Sequence, residues 1–219
     1  MRAMRKNQRT IMGVTAILIA FGLVGSSIAY YLLSGPGVSS GGTTGNNLQY
    51  YETEIKTLQE QIKKNPSDVS LQANLGHVYF EYAIALRQED KDKEALEQFK
   101  RAIQTYEEVL RRQKDDKAVL GNLATCYYYT GRVDDAIKTV EKVLQLDPNF
   151  HVARLKYGIY LGEGKGDYKA AIAELKKIPA GDPSYQQAQS LISEFSSAAS
   201  AASGNTSSSS QGTQGSEKK

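Results

Sequence analysis

Leu123–Pro148 reads LATCYYYTGRVDDAIKTVEKVLQLDP. Leu123, Ala124 and Tyr127 fall at the 3–4 spacing of one helix face, and Ala136, Val140 and Val143 do the same after a break at Gly131. Pro148 ends the second run, because it cannot continue a helix. The stretch is therefore a helix–turn–helix unit whose small residues let two helices approach closely. It recurs downstream as Tyr157-Gly158-x-x-Leu161…Gly166-Asp167-Tyr168-x-x-Ala171-Ile172-x-x-Leu175-x-x-Ile178, with one extra residue in the turn. It recurs upstream as Leu75-Gly76-x-x-Tyr79…Ala95-x-x-x-Phe99-x-x-Ala102. A unit of this kind cannot bury its apolar face alone, so three in tandem imply a stacked helical array.

The three copies resemble the tetratricopeptide repeat (TPR), whose pattern runs L-G-x-x-Y…A-x-x-x-F…P. The resemblance covers about residues 66–180, with repeats at about 66–113, 115–148 and 149–180. It implies an all-α, TPR-like α-solenoid. Gly76, Ala95, Ala124, Ala136, Gly158 and Ala171 take the close-approach positions, and Tyr79, Phe99 and Tyr127 fill the space between hairpins. The first repeat departs from the pattern. Gly76 lies 48 residues before Ala124, whereas Gly158 lies 34 after it, an excess of 14 that splits into two insertions of seven. Seven residues are close to two helical turns, so each insertion lengthens a helix and keeps its apolar face. Two long helices are expected, Asp68–Arg87 and Asp92–Arg112, joined at Gln88–Lys91, in a hairpin that protrudes beyond the others.

The repeats are flanked by further helical patterns. Leu48, Tyr51, Ile55, Leu58 and Ile62 form an apolar stripe ending before Asn65-Pro66. A short coiled-coil strand is one reading, and a capping helix is preferred because barely two heptads are present. A last helix over 183–197 is expected, with Asp182 as N-cap, Pro183 at its first position, and Tyr185, Ala188, Leu191, Ile192 and Phe195 facing inward. The solenoid domain thus runs over 48–197.

Residues 11–33, IMGVTAILIAFGLVGSSIAYYLL, carry no charge over 23 positions and would span about 35 Å as a helix, enough to cross a bilayer. Arg2, Arg5, Lys6 and Arg9 precede the segment, so a cytoplasmic basic tail (1–10), a single transmembrane helix (11–33) and an extracytoplasmic domain are expected. The alternative is a cleaved signal peptide, with Ser27-Ile28-Ala29 as the small-x-small site. Residues 34–47 hold five glycines and no charge, which reads as a flexible linker. The Ser/Ala-rich 198–219 is expected to be a disordered tail.

Without the four N-terminal cations, 23 basic residues face 24 acidic ones, so the body is not a nucleic-acid-tracking surface. The single cysteine, Cys126, allows no internal disulfide and sits on an apolar face as a small hydrophobe. His77 and His151 stand apart from any metal-ligand spacing, and Asp90, Asp92 and Glu94 lack the glycine and distal Glu of a calcium loop. Gly162, Gly164 and Gly166 follow no strand, so they belong to an inter-helix turn and not to a nucleotide loop. No catalytic constellation, metal site or cofactor is expected, and the chain is not read as an enzyme.

What the resemblance implies is a concave groove lined by the first helix of each repeat. Its positions are Asn74, His77, Phe80 and Glu81, then Asn122, Thr125, Tyr128 and Tyr129, then Lys156 and Ile159. The partner would be another protein, through a peptide segment or helix. Some relatives of this family clamp a C-terminal carboxylate; Asn122 and Lys156 match those positions, whereas Ala73, His77 and Val152 do not, so a full clamp is not expected. The domain arrangement resembles bacterial cytoplasmic-membrane TPR proteins with one N-terminal anchor, which implies a membrane-tethered scaffold, co-chaperone or assembly factor. A structural homo-oligomer, assembled through the anchor and solenoid ends without a peptide client, is the alternative.

Overall fold

The computed structural model describes residues 44–207, with side chains from 48 to 202. Two units divide between Gly42 and Thr43, and the described residues lie in the second. The basic tail, the expected transmembrane helix 11–33 and most of the linker fall outside them. Among the described residues no helix is long and apolar enough to cross a membrane.

The described residues form eight α-helices in order: α1 Thr44–Lys64, α2 Val69–Gln88, α3 Asp92–Arg112, α4 Lys117–Tyr129, α5 Val133–Leu146, α6 His151–Ile159, α7 Tyr168–Leu175 and α8 Tyr185–Ser207. A π-helical turn, Tyr160–Gly164, continues α6. Each helix packs chiefly on its neighbours in sequence, and α2 also touches α4. That is the topology of a solenoid.

Local chemistry fixes the helix starts. Asp68 accepts hydrogen bonds from the N–H groups of Ser70 (2.9 Å) and Leu71 (3.3 Å). Asp116 does the same for Ala118 and Val119, both at 3.0 Å. These side chains satisfy donors that a helix start leaves unpaired. Each hairpin turn holds one residue with a left-handed backbone: Asp90 (φ 58°), Gly131 (φ 79°) and Gly166 (φ 73°). The first two turns close with Lys91 N–H donating to the Leu86 carbonyl and Arg132 N–H to that of Tyr127, five residues back. In the third, Asp167 N–H reaches the Leu161 carbonyl, six residues back. The extra residue read in the sequence is absorbed here, by the π-helical turn.

The two inserted heptads lengthen α2 and α3 to 20 and 21 residues, against 13 and 14 for α4 and α5. The extra turns do not project bare. Ala83, Leu86 and Ala95 on them are at most 1% exposed, and α1, also 21 residues long, lies antiparallel along α2. Tyr51 stacks on Tyr82 (centroids 5.6 Å), Tyr82 donates to Glu52 Oε1 at 2.9 Å, and Gln59 Nε2 donates to the Tyr79 hydroxyl at 3.0 Å. Ile55 and Leu58 are buried in this contact. The coiled-coil alternative for α1 is thereby set aside, since its apolar face is already covered by α2.

Three expectations are corrected. The last four linker residues, 44–47, are helical and extend α1. Asp182 accepts from the Ser184 N–H at 2.7 Å in a turn that precedes α8, and the helix itself begins at Tyr185. Finally, α8 continues through residues 198–207, into the segment expected to be disordered. Alanine is the best helix former. Serine hydroxyls fold back along the helix up to and into this stretch: Ser196, Ser197 and Ser200 donate to the carbonyls of Ile192, Ser193 and Ser196.

Candidate partner-binding groove

The predicted positions lie on the first helices of the three hairpins, α2, α4 and α6. On α2, Asn74 is exposed and His77 is 51% exposed, with its Nε2 3.9 Å from Glu81 Oε1. Glu81 is half-buried; burial raises its carboxyl above the usual range and His77 pulls it down. Phe80 is not a groove residue. It is fully buried, with its ring 6.2 Å from that of Phe99, because one helix face has to supply the contact with α3.

On α4, the half-buried Asn122 donates from Nδ2 to the hydroxyl of buried Tyr106 at 3.4 Å. Thr125 is buried, which corrects its assignment as a contact residue. Its Oγ1 accepts from Lys156 Nζ (2.9 Å) and from the Tyr160 hydroxyl (3.1 Å), and donates to the Gly121 carbonyl (3.0 Å). Thr125 thus pins α6 to α4. Cys126 beside it is buried and unpaired, and burial pushes its thiol up, as the hydrophobe reading requires.

Tyr128 and Tyr129 belong to a row of rings. Tyr129 stacks on Phe99 (4.9 Å) and carries Arg87 over its ring (4.5 Å); Tyr128 meets Tyr129 edge-on (5.6 Å) and stacks on Tyr160 (4.8 Å). With Phe80 at the far end, five aromatic rings run across three repeats. Tyr129 is therefore a joint between repeats as much as a surface anchor. Tyr128 donates to Glu163 Oε2 at 2.9 Å.

On α6, Ile159 leans against the C-terminal core cluster of Leu155, Leu175 and Phe195. Lys156 is half-buried, and no ion pair includes it among the described residues. Burial pushes its ammonium down to about 8, opposed by Cys126. The folded state therefore binds this proton less tightly than the unfolded chain. Wild-type stability should rise with pH between about 8 and 10.5 as the ammonium is lost. Lys156→Met should stabilise the fold by about 1–3 kcal/mol at pH 7, an advantage that vanishes near pH 10.5. Urea unfolding at pH 7 and pH 10 checks both; a destabilised variant at pH 7 would mean that the ammonium is well compensated.

Three residues of this surface escaped the sequence reading: Arg87, Tyr160 and Glu163. Glu163 had a legible signal. Glu81, Tyr129 and Glu163 each lie five residues after the close-approach residue of their repeat, Gly76, Ala124 and Gly158. The glycines around Glu163 hid it, because they read as a turn where the chain is still helical. Gly162 and Gly164 are glycines for steric reasons: a Cβ would lie 2.4 Å from the Phe195 ring and 2.6 Å from Val133, respectively.

Residues 94–157 match the tetratricopeptide repeat family. Over 74 residues the chain is 35% identical to the Hsp70-Hsp90 organizing protein of Triticum aestivum, a stretch that is 33% of this chain and 13% of that relative. The chain thus spans a small part of the curated relative it resembles. Among solved structures, the crystal structure of MamA superposes with a TM-score of 0.57 at 15% identity, covering 75% of this chain and 87% of that one. A tetratricopeptide repeat protein from Parabacteroides merdae superposes with a TM-score of 0.52 at 16% identity, covering 71% and 61%. Both show the shared fold.

Proposed function

From the array of stacked helical hairpins, whose residues 94–157 match the tetratricopeptide repeat family, we infer a protein-interaction module that takes a partner segment in the groove of α2, α4 and α6. The observation that carries this reading is the groove's make-up. Exposed Asn74 and His77, half-buried Asn122, Tyr128 and Lys156, and exposed Glu163 share the first-helix side of three consecutive hairpins. Ring area at low rotamer cost, amide groups for a partner's backbone and uncompensated charges are what such a surface offers. The relatives named as Hsp70-Hsp90 organizing proteins support a client or chaperone as partner.

The module is held at a membrane by residues 11–33 as a single-pass anchor, with the basic tail cytoplasmic and the repeats on the far side, as in bacterial anchored TPR proteins. The support is the uncharged 23-residue stretch behind four basic residues. Tethering would raise the effective concentration of a membrane-bound partner. Protease added outside intact spheroplasts should digest the repeats; protection there would reverse the orientation.

Crosslinking and pull-down of the full chain from native membranes test the groove. Tyr128→Ala should weaken capture of the recovered partner by roughly tenfold, with the helical CD signal kept. Tyr128 suits this test better than Tyr129, whose removal would also open the joint with Phe99. Capture unchanged by Tyr128→Ala and Asn122→Ala, in a folded chain, would exclude the groove. A discrete oligomer in detergent without a captured partner would favour the self-assembling scaffold.

A further inference from the structure

We propose that the end of the groove where the Tyr128 and Tyr129 rings meet Glu163 receives a basic side chain, Lys or Arg, of the partner segment. This rests on the groove reading and deepens it. The π-helical turn places Glu163 against α4, where its Oε2 accepts from the Tyr128 hydroxyl at 2.9 Å. Its other oxygen, Oε1, has no hydrogen-bond partner among the described residues, and neither Glu163 nor Glu194 of α8, whose charge acts on it, belongs to an ion pair there. Glu163 is exposed overall, but partial desolvation of its carboxyl against α4 pushes it up, the Tyr128 hydrogen bond pulls it down, and Glu194 pushes it up again. A cation is what relieves this arrangement.

Among the described residues no cation pairs with it. Lys156 directs Nζ to Thr125, and Arg87 lies over the Tyr129 ring. Arg87 also shows how such a ring receives a guanidinium, at 4.5 Å from the centroid. Tyr128 is held in position for the same role. Tyr160 stacks behind it, Tyr129 meets it edge-on, and its hydroxyl is fixed on Glu163. A basic side chain entering here would meet a ring wall and an unpaired carboxylate oxygen together. Charge complementarity therefore selects a basic segment over an acidic one at this end of the groove.

The test uses the full chain in detergent and a phage-displayed library of random heptapeptides. The selected peptides should carry Lys or Arg. Glu163→Gln, which keeps an acceptor for the Tyr128 hydroxyl and should melt like the wild type, should weaken them about tenfold or more. A peptide with that Arg changed to Glu should recover affinity on Glu163→Lys. Peptides that are lost with Tyr128→Ala but are rich in Asp and Glu, or are indifferent to Glu163→Gln, would overturn the basic-segment inference and leave the groove reading standing. Failure to select any peptide whose binding depends on Tyr128 would sink the groove reading, and this inference with it.

Discussion

Phe99→Ala should lower the unfolding free energy by about 3–5 kcal/mol, the range for emptying a buried aromatic site. Phe99 is 1% exposed and lies between Phe80 (6.2 Å) and Tyr129 (4.9 Å). It thus packs within its own hairpin and across to the next repeat at once. Neither neighbour can fill the space without leaving its own contacts, so the cavity should persist. The measurement is the urea midpoint with its slope, and Leu96→Ala is the internal control. Leu96 lies on the same helix but is 36% exposed, so its removal should cost well under 1 kcal/mol. Equal losses in the two variants would mean that the ring row does not join the repeats.

Gly162→Ala should cost about 3 kcal/mol, at the upper end of overpacking effects. The added Cβ would lie 2.4 Å from the Phe195 ring, and that ring is 2% exposed in the core cluster of α7 and α8. A ring held on all sides cannot swing away. Gly121 supplies the contrast, because a Cβ there meets nothing within 4 Å. Gly121→Ala should be neutral or stabilising by up to about 1 kcal/mol, since alanine favours the helix. Thermal melts of the two variants should move in opposite directions. Combining Gly162→Ala with Phe195→Leu should recover part of the loss, and no recovery would place the strain elsewhere in the π-helical turn.

Much of the array was legible because close approach leaves a mark in the residue types. Gly76 can only be small, since a Cβ there would lie 2.7 Å from the Tyr106 ring, and Gly158 faces Leu175 at 2.6 Å. The seven-residue excesses predicted two lengthened helices, and α2 and α3 are those helices. What pattern could not show is where the lengthened turns go. They are flanked by α1 on one side and reach Tyr129 on the other, through contacts between residues far apart in sequence. The groove was less legible than the fold. Repeat register names the positions facing one side, but it cannot say which of them the protein uses for itself. Thr125 and Phe80 went inward because a buried hydrogen-bond hub and a ring contact were available to them. Glu163 was passed over because three glycines near it looked like the end of a helix. The helical run through 198–207 was missed because a serine-rich composition says nothing of hydroxyls that fold back onto carbonyls.

That each helix rests chiefly on its sequence neighbours bears on how the chain folds and opens. Such contacts close only short loops, so the topology favours rapid folding that starts at any well-packed hairpin and spreads outward. The α2–α3 hairpin, with its long buried seam, is the natural starting point. Opening should run the other way. Amide exchange should be fastest at the C-terminal part of α8, slower through α7 and α6, and slowest in α2 and α3. A partner gripping α4 and α6 would then bind the region between the last part to open and the first, and would slow exchange across the whole C-terminal half.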